Sequence, residues 1–450
     1  MSENKFIMPQ LGFDKESSKT KIVVAMSGGV DSSVVACLLK EKGFDVVGIT
    51  LQLYDMGDSL KKKNACCAGV DISDAKNVAQ KFDFPHYVLN YQSLFKESVI
   101  DDFADTYLRG ETPIPCVKCN NSVKFRDLLK VARDIGADAL ATGHYVRREI
   151  GKNGAVELHK AIDDGKDQSY FLFGTTKEQL GFLRFPLGNN SKEETRAEAQ
   201  RLGLEIAAKP DSQDICFVPN GNYAEVIKRY RPTAFKCGDI LHIESGKVLG
   251  SHEGIINFTL GQRRGIGIAY PEPLYVVKID AAKNVIFVGE EKFLQSKKFI
   301  IRDLNWLADD VDISCEIKAK VRLRSNHEEE DAVIKILENG EAEIEMKSMT
   351  RAITPGQACV IYQDSRVLGG GWITKVTSEK PSFPVILSSD QFAREHVPLS
   401  TLTCSQTDLP RDSLRSCSFS SNDAGVVSAK AVDSNSSKNL GFSEVPKLIS

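Results

Sequence analysis

An apolar, β-branched run, Lys21–Met26, breaks directly into Ser27-Gly28-Gly29-Val30-Asp31-Ser32-Ser33. No other feature constrains the fold as much. A buried strand that ends in two glycines and restarts as a helix makes a tight turn whose backbone can approach an anion. The helix that begins near Ser32 aims its free N–H groups and positive dipole end at the same point. Hydroxyls of Ser27, Ser32 and Ser33 add hydrogen-bond donors. The expected product is an oxyanion cradle. It is neither a G-x-x-x-x-G-K-[ST] loop, since no lysine follows the glycines, nor a G-x-G-x-x-G loop. Asp31 suits a hard cation such as Mg²⁺ shared with phosphate oxygens, or the positioning of a nucleotide.

The segments that follow predict the surrounding architecture. Helices are expected at Ser32–Lys42, closed by Gly43, and at Ile72–Phe82, Gln92–Arg109 and Asn120–Ile135. Strands are expected at Val46–Leu51, Tyr87–Leu89 and Ala139–Thr142. Strands alternating with helices imply an α/β fold with a doubly wound parallel sheet. Residues 146–220 read as loops and short helices, including Lys192–Leu202 ended by Gly203. Beyond about 235 the texture becomes all-β: Leu274–Ile279, Val285–Val288, Cys315–Leu323 and Ala332–Ile336, with turns such as Glu338-Asn339-Gly340.

The expected division is a flexible N-terminus over 1–20, an α/β domain over 21–220, a central β-rich domain over 221–295 and a C-terminal β-barrel over 296–376. Residues 377–450 are Ser-rich and poor in aromatics, which predicts a disordered tail.

Eleven cysteines are scattered along 450 residues. A chain of this length buries a core large enough to need no disulfides. No secretory or transit segment opens it and no run nears ~18 apolar residues, so a cytoplasmic location with reduced thiols and no membrane association is expected. The formal net charge of -3 excludes a strongly basic nucleic-acid coat protein and leaves RNA binding to local basic patches.

Two cysteine-bearing segments stand out: Pro113-Ile114-Pro115-Cys116-Val117-Lys118-Cys119-Asn120 and Asp211-Ser212-Gln213-Asp214-Ile215-Cys216-Phe217. Cys119 precedes a predicted helix and has Lys118 and Lys124 nearby. The helix dipole and both cations should lower its pKa. Three readings compete at this point. One is structural zinc using Cys116, Cys119, Cys66 and Cys67, although adjacent cysteines match zinc spacing poorly. Another is core packing, the default for Cys37, Cys237, Cys315 and Cys359. The third is a redox-active pair, Cys119 with Cys216.

Taken in order, Ala25–Ser32, Cys119-Asn120, Ala141-Thr142-Gly143-His144-Tyr145, Lys166-Asp167-Gln168-Ser169-Tyr170, Ser212–Phe217, Thr259–Gly265 and Thr354-Pro355-Gly356-Gln357 resemble the blocks of the bacterial tRNA-specific 2-thiouridylases. These are members of the PP-loop ATP pyrophosphatase superfamily. The resemblance spans about residues 20–376. It implies an enzyme that adenylates the C2 oxygen of the wobble uridine, tRNA position 34, with ATP and then installs sulfur.

On that resemblance Ala25, Met26, Ser27, Gly28, Gly29, Val30, Asp31, Ser32, Leu51 and Gly143 bind ATP. Cys119 is the nucleophile and Cys216 the persulfide carrier, with a transient Cys119–Cys216 disulfide. His144, Lys166, Asp167, Gln168, Arg322, Leu323 and Gln357 contact tRNA. A sulfur-carrier protein or a cysteine desulfurase supplies the sulfur. Two positions depart from parts of the family. Some members carry Asp where Cys116 stands, which leaves Cys116 either a spectator or a party to thiol exchange. Some carry Tyr where Leu323 stands. The alternation Lys318, Lys320, Arg322, Arg324 along one strand suits a phosphate track or a solvated face. The competing functions are another PP-loop adenylating enzyme, an RNA-binding module with a vestigial ATP site, and a thiol redox sensor.

Overall fold

A computed structural model describes residues 6–54, 67–211, 215–218 and 221–377. The predicted tail, apart from Thr377, lies outside them, as do Cys66 and Ser212–Asp214.

Five strands form a parallel sheet: β1 (Lys21–Ala25), β2 (Asp45–Gln52), β3 (His86–Asn90), β4 (Ala139–Thr142) and, after a hairpin, β7 (Leu183–Arg184), in the order β3-β2-β1-β4-β7. Ile22, Val23 and Val24 of the central strand are all fully buried. Their side chains point alternately to opposite faces, so a strand covered on both sides reads as a continuous apolar run. Ile22 and Val24 join a core with the helices Val30–Glu41 and Cys67–Lys81. Val23 joins the opposite core, with Phe125, Leu128 and Leu129. This is the doubly wound sheet expected. Gly43, at φ +82°, ends the first helix where a Cβ would be strained.

The helix expected at Asn120–Ile135 starts earlier, at Pro115, whose fixed φ suits a first helical turn. It runs through a π-helical stretch, Cys119–Leu128, into the α-helix Leu129–Asp134. Part of the region read as loops is a β-hairpin, β5 (Val146–Ile150) with β6 (Val156–Lys160). Its alternation is blunted by charge: Arg147 hydrogen-bonds Glu149, and His159 hydrogen-bonds Glu157. Residues 6–20, expected to be flexible, lie against the sheet domain. Leu11 is buried, Arg184 Nε donates to its carbonyl at 2.6 Å, and Asn190 brackets the backbone of Ile7 at 2.7 and 2.8 Å.

The central sheet joins β8 (Gly238–His242), β9 (Val248–His252), β10 (Tyr275–Asp280) and β11 (Val285–Gly289) in the order β10-β11-β8-β9. It is fastened to the first domain by Arg231, which donates to both oxygens of Asp105 at 2.8 and 3.0 Å and to Asp101 at 2.8 Å.

The last six strands are β12 (Gln295–Trp306), β13 (Ile317–Arg322), β14 (Glu330–Ile336), β15 (Ala342–Arg351), β16 (Ala358–Gln363) and β17 (Arg366–Thr377). Antiparallel pairing in the order β12-β15-β14-β13-β16-β17 closes on itself through β12–β17, making a barrel without free edges. The hairpin β5–β6 attaches to β17 through Arg366 opposite His159. Barrel residues Ala358, Val360 and Tyr362 share one core with sheet residues Val23 and Leu140. Barrel and sheet domain are therefore continuously packed.

Candidate active site

Of the residues in and beside the Gly-Gly turn, Met26, Val30, Ser32 and Ser33 are buried, and Ser27 alone of the three serines is exposed. Gly28 has φ +74°, and a Cβ there would stand 2.1 Å from the carbonyl oxygen of Asp71. The turn is therefore pressed against the helix Cys67–Lys81, and only glycine fits. Gly29 is the N-cap of the helix Val30–Glu41 and supplies no side-chain cap. The first amides of that helix consequently have no intrahelical acceptor and suit an anion. Ser27 N–H donates to Ser32 Oγ at 3.1 Å, and Ser33 Oγ donates to the Gly29 carbonyl at 2.9 Å, holding the loop's shape. Gly143, at the end of β4, comes so close that a Cβ would lie 2.8 Å from Ser32 N. This glycine brings β4 against the cradle.

Asp31 projects from the first helical turn. Lys192 Nζ donates to its two oxygens at 2.6 and 2.8 Å, and Tyr145 Oη donates at 2.9 Å. Lys192 is only 4% exposed and also meets Asp211 at 2.8 Å. Asp211 takes further bonds from Lys166 at 2.8 Å and Arg196 at 3.1 Å. Burial alone would raise the Asp211 pKa; the lysine hydrogen bonds overcome it and hold the carboxyl at about 2. Two residues earlier, Lys209 Nζ donates to the Gly28 carbonyl at 3.0 Å and to Asp71 and Asp74 at 2.6 Å each. The segment 209–211 is thus staked to the phosphate loop. Lys192 and Lys209 were not singled out in the sequence. The signal for Lys192 was its place after Ser191, whose capping box with Glu194 fixes the start of its helix.

From Asp211 the chain runs five residues to Cys216, a reach of at most about 18 Å. The next residue, Phe217, is buried edge-on against Phe95 at 5.7 Å and Phe103 at 5.3 Å. It shares that core with Cys119. Leu51, at the end of β2, packs between this core and the one beneath the sheet. Cys119 is buried, while Cys116 and Cys216 keep an exposed surface. All three cysteines are free thiols, near enough that charge on either Cys119 or Cys116 raises the pKa of Cys216.

The expected lowering of the Cys119 pKa does not occur. Burial pushes it up, Cys116 adds to the rise, and Lys124 opposes both. Cys119 is the fifth residue of its helix rather than the first, and Lys118 is diverted to Asp102 at 3.6 Å and to the Trp372 ring at 5.3 Å. Burial also raises Cys116, and it lifts Cys216 to about 12. Cys216 keeps accessible surface, yet the protein around it still strips most hydration from its sulfur. Packing describes Cys37 and Cys359, both fully buried, but not Cys237 and Cys315, which are exposed.

The residues assigned to tRNA fall into two groups. His144 accompanies the cradle: its Nδ1 lies 2.9 Å from Thr142 Oγ1 and its ring packs on Phe125 at 5.8 Å. Burial, helped by Lys124, lowers its pKa to about 3, so it is neutral near pH 7. Lys166 faces Asp211, Gln168 accepts from Tyr145 N–H at 2.9 Å, and Gln357 Nε2 donates to the Thr112 carbonyl at 3.1 Å. The second group turns inward. Asp167 has a side chain 1% exposed and binds Arg322 at 2.9 Å, which also binds Glu329 at 2.9 Å. Leu323 is buried in the barrel core. In this conformation Asp167 and Arg322 join the sheet domain to the barrel, Leu323 lies in the barrel core, and Arg322 keeps 13% of its side chain exposed. On the same strand, Lys318 and Lys320 are exposed.

Residues 20–220 match the tRNA methyl transferase HUP domain family, 224–290 the matching PRC-barrel domain, and 296–373 the aminomethyltransferase beta-barrel domain. The chain is 61% identical over 362 residues to the tRNA-specific 2-thiouridylase MnmA of Rickettsia akari, covering 80% of this chain and 98% of that one. The chain belongs to the tRNA-specific 2-thiouridylase family. The corresponding proteins of Rickettsia africae and Rickettsia massiliae are each 60% identical, again covering 80% of this chain and 98% of theirs. The HUP-domain match spans the Gly-Gly turn, Cys119 and Cys216. Among the described residues no helix is long and apolar enough to cross a membrane.

Proposed function

We propose that this chain converts uridine at position 34 of tRNA to 2-thiouridine, with ATP as activator and Cys216 as sulfur carrier. One observation carries the reading. The segment that starts on the phosphate loop through Lys209 and Asp211 ends, five residues later, at the thiol cluster of Cys216, Cys119 and Cys116. An activation site and a sulfur site thus share one short tether.

ATP supplies the adenylyl group that turns the C2 oxygen of uridine into a leaving group. The residues Ala25–Ser32 form the wall that receives the departing pyrophosphate, with Leu51 and Gly143 beside the nucleotide. Among the described residues no three metal-ligating side chains gather. Asp31 is the carboxylate beside the loop, and Mg²⁺ held there with phosphate oxygens would compete with Lys192 and Tyr145 for its two oxygens. Cys216 carries the outer sulfur. Cys119 resolves it, leaving a Cys119–Cys216 disulfide that an external dithiol reduces. His144, Lys166, Gln168 and Gln357 line the side from which an extruded anticodon-loop base enters. A sulfur-carrier protein or cysteine desulfurase loads Cys216, at its exposed surface, in the cytoplasm. The expected domain limits, 21–220, 221–295 and 296–376, complete this reading.

The test is incubation with unmodified tRNA, Mg-ATP and a sulfide source, followed by mass analysis of the nucleosides. The reading expects 2-thiouridine, with AMP and pyrophosphate released in step. A tRNA lacking uridine at position 34 should stay unmodified. Pyrophosphate release without any thiolated nucleoside would defeat it.

A further inference from the structure

The helix that begins at Pro115 changes its hydrogen bonding at the nucleophile. Residues Cys119–Leu128 are π-helical, a form that is rare and concentrates at functional sites. The change moves one side chain in particular. Five residues of α-helix make about 1.4 turns, which would carry residue 124 to the far flank from Cys119. With i→i+5 bonding, residue 124 lies about one turn beyond 119, on the same flank. Cys116, three residues before Cys119 in the preceding α-helical turn, faces that flank too.

The charges agree with this placement. Lys124 acts on Cys116, Cys119 and Cys216, and on His144, whose ring packs against the neighbouring Phe125. The other nearby lysine, Lys118, is committed to Asp102 on the facing helix and to Trp372. Lys124 is half-buried and forms no ion pair among the described residues. Among the described residues this cation has no ionic partner, and it acts on three thiols that burial holds protonated.

We propose that Lys124 is a positioning residue for sulfur transfer: brought round by the π-helical turn, its ammonium holds negative charge on the attacking sulfur of Cys119 and on the outer sulfur that departs from Cys216. The proposal rests on the roles given above to those two cysteines. In the step it serves, Cys119 gives its proton to solvent and its sulfur attacks the inner sulfur of the Cys216 persulfide. A Cys119–Cys216 bond forms, the bond between the two persulfide sulfurs breaks, and its electron pair leaves with the outer sulfur as hydrosulfide. Hydrosulfide then displaces AMP from C2, and a dithiol returns the disulfide to two thiols. Both the attacking and the departing sulfur are anionic, and a nearby ammonium favours each.

The experiment compares Lys124→Met and Lys124→Arg with the unaltered chain. The readouts are the pH dependence of iodoacetamide labelling at Cys216, followed by peptide mass analysis, and thiolation of tRNA at pH 7. Lys124→Met should move the labelling profile up by about one pH unit and slow thiolation about tenfold. Lys124→Arg, which keeps the charge, should recover most of both. Thermal unfolding identifies a variant that misfolds, in which case Lys124→Gln takes the place of Lys124→Met. A folded charge-free variant with the original profile and rate overturns the role of Lys124, even where Cys119→Ser and Cys216→Ser are inactive. Thiolation that persists in those two serine variants would instead remove the underlying reading.

Discussion

Lys192 Nζ stands 2.6 and 2.8 Å from the two carboxylate oxygens of Asp31 and 2.8 Å from Asp211, so one buried ammonium ties the phosphate loop to the segment that leads to Cys216. Removing the ammonium leaves Asp31 with Tyr145 and no cation, and leaves Asp211 with Lys166 and Arg196. Lys192→Met should destabilise the chain by about 3–5 kcal/mol, as expected when one member of a buried ion pair is lost. Urea unfolding measures this. A cost near zero would mean that the carboxylates find water instead.

The same cluster sets a limit at low pH. The Asp211 pKa is depressed to about 2, so its stabilising contribution is full above the ordinary carboxylate value near 3.8 and fades as pH falls towards 2. His144, with its pKa lowered to about 3, adds a second loss. Below about 6.5 the unfolded chain takes up a proton that the folded chain refuses, so stability declines from that point. Thermal unfolding between pH 8 and 4 should show a falling midpoint, and His144→Asn should flatten the part between pH 6.5 and 5.

Cysteine chemistry should be suppressed at neutral pH and rise with alkalinity. Burial lifts the Cys216 thiol to about 12, so alkylation at pH 7 should be slow and gain close to tenfold per pH unit up to pH 9. A plateau by pH 8 would contradict this. Cys119→Ser and Cys216→Ser should each abolish thiolation while tRNA affinity changes less than about twofold, since neither hydroxyl alters charge.

Gly28→Ala introduces a Cβ 2.1 Å from the Asp71 carbonyl oxygen at a residue with φ +74°. The loop must shift, and ATP binding should be lost. Calorimetry with Mg-ATP reads the outcome, with Gly136→Ala as control: its φ is also positive, but nothing lies within 4 Å of the new carbon.

Arg322 and Lys320 lie two residues apart on one strand but should behave differently. Arg322 bridges Asp167 and Glu329, so Arg322→Met should lower the melting temperature more than it changes tRNA affinity. The double variant Lys318→Ala and Lys320→Ala removes two exposed charges. It should weaken tRNA binding and reduce the salt slope by about 1.4–1.8, if both meet phosphates.

The parallel sheet, the cradle and the all-β second half were legible in the chain because each rests on local rules. A strand buried on both faces needs a continuous apolar run, Gly28 needs its positive φ, and short alternating segments need turns. The β5–β6 hairpin was not legible, since its period-two signal is masked by charged residues that find partners across the barrel junction. The start of the helix at Pro115 rather than Asn120 goes with the burial of Ile114 and Val117 in the core that holds Val23 and Leu140, residues distant in the chain.

What the sequence determined alone was the inventory: a phosphate-binding turn, a set of thiols, and the order of the blocks that carry them. The tertiary structure decided their state. It buried Cys119 and raised its pKa where a helix start would have lowered it. It chose Lys124 over Lys118, drew Asp167, Arg322 and Leu323 inward, and set Lys192 between two aspartates. Burial and pairing depend on which distant segments meet, and residue spacing along a chain does not encode the free energy of desolvating a charge.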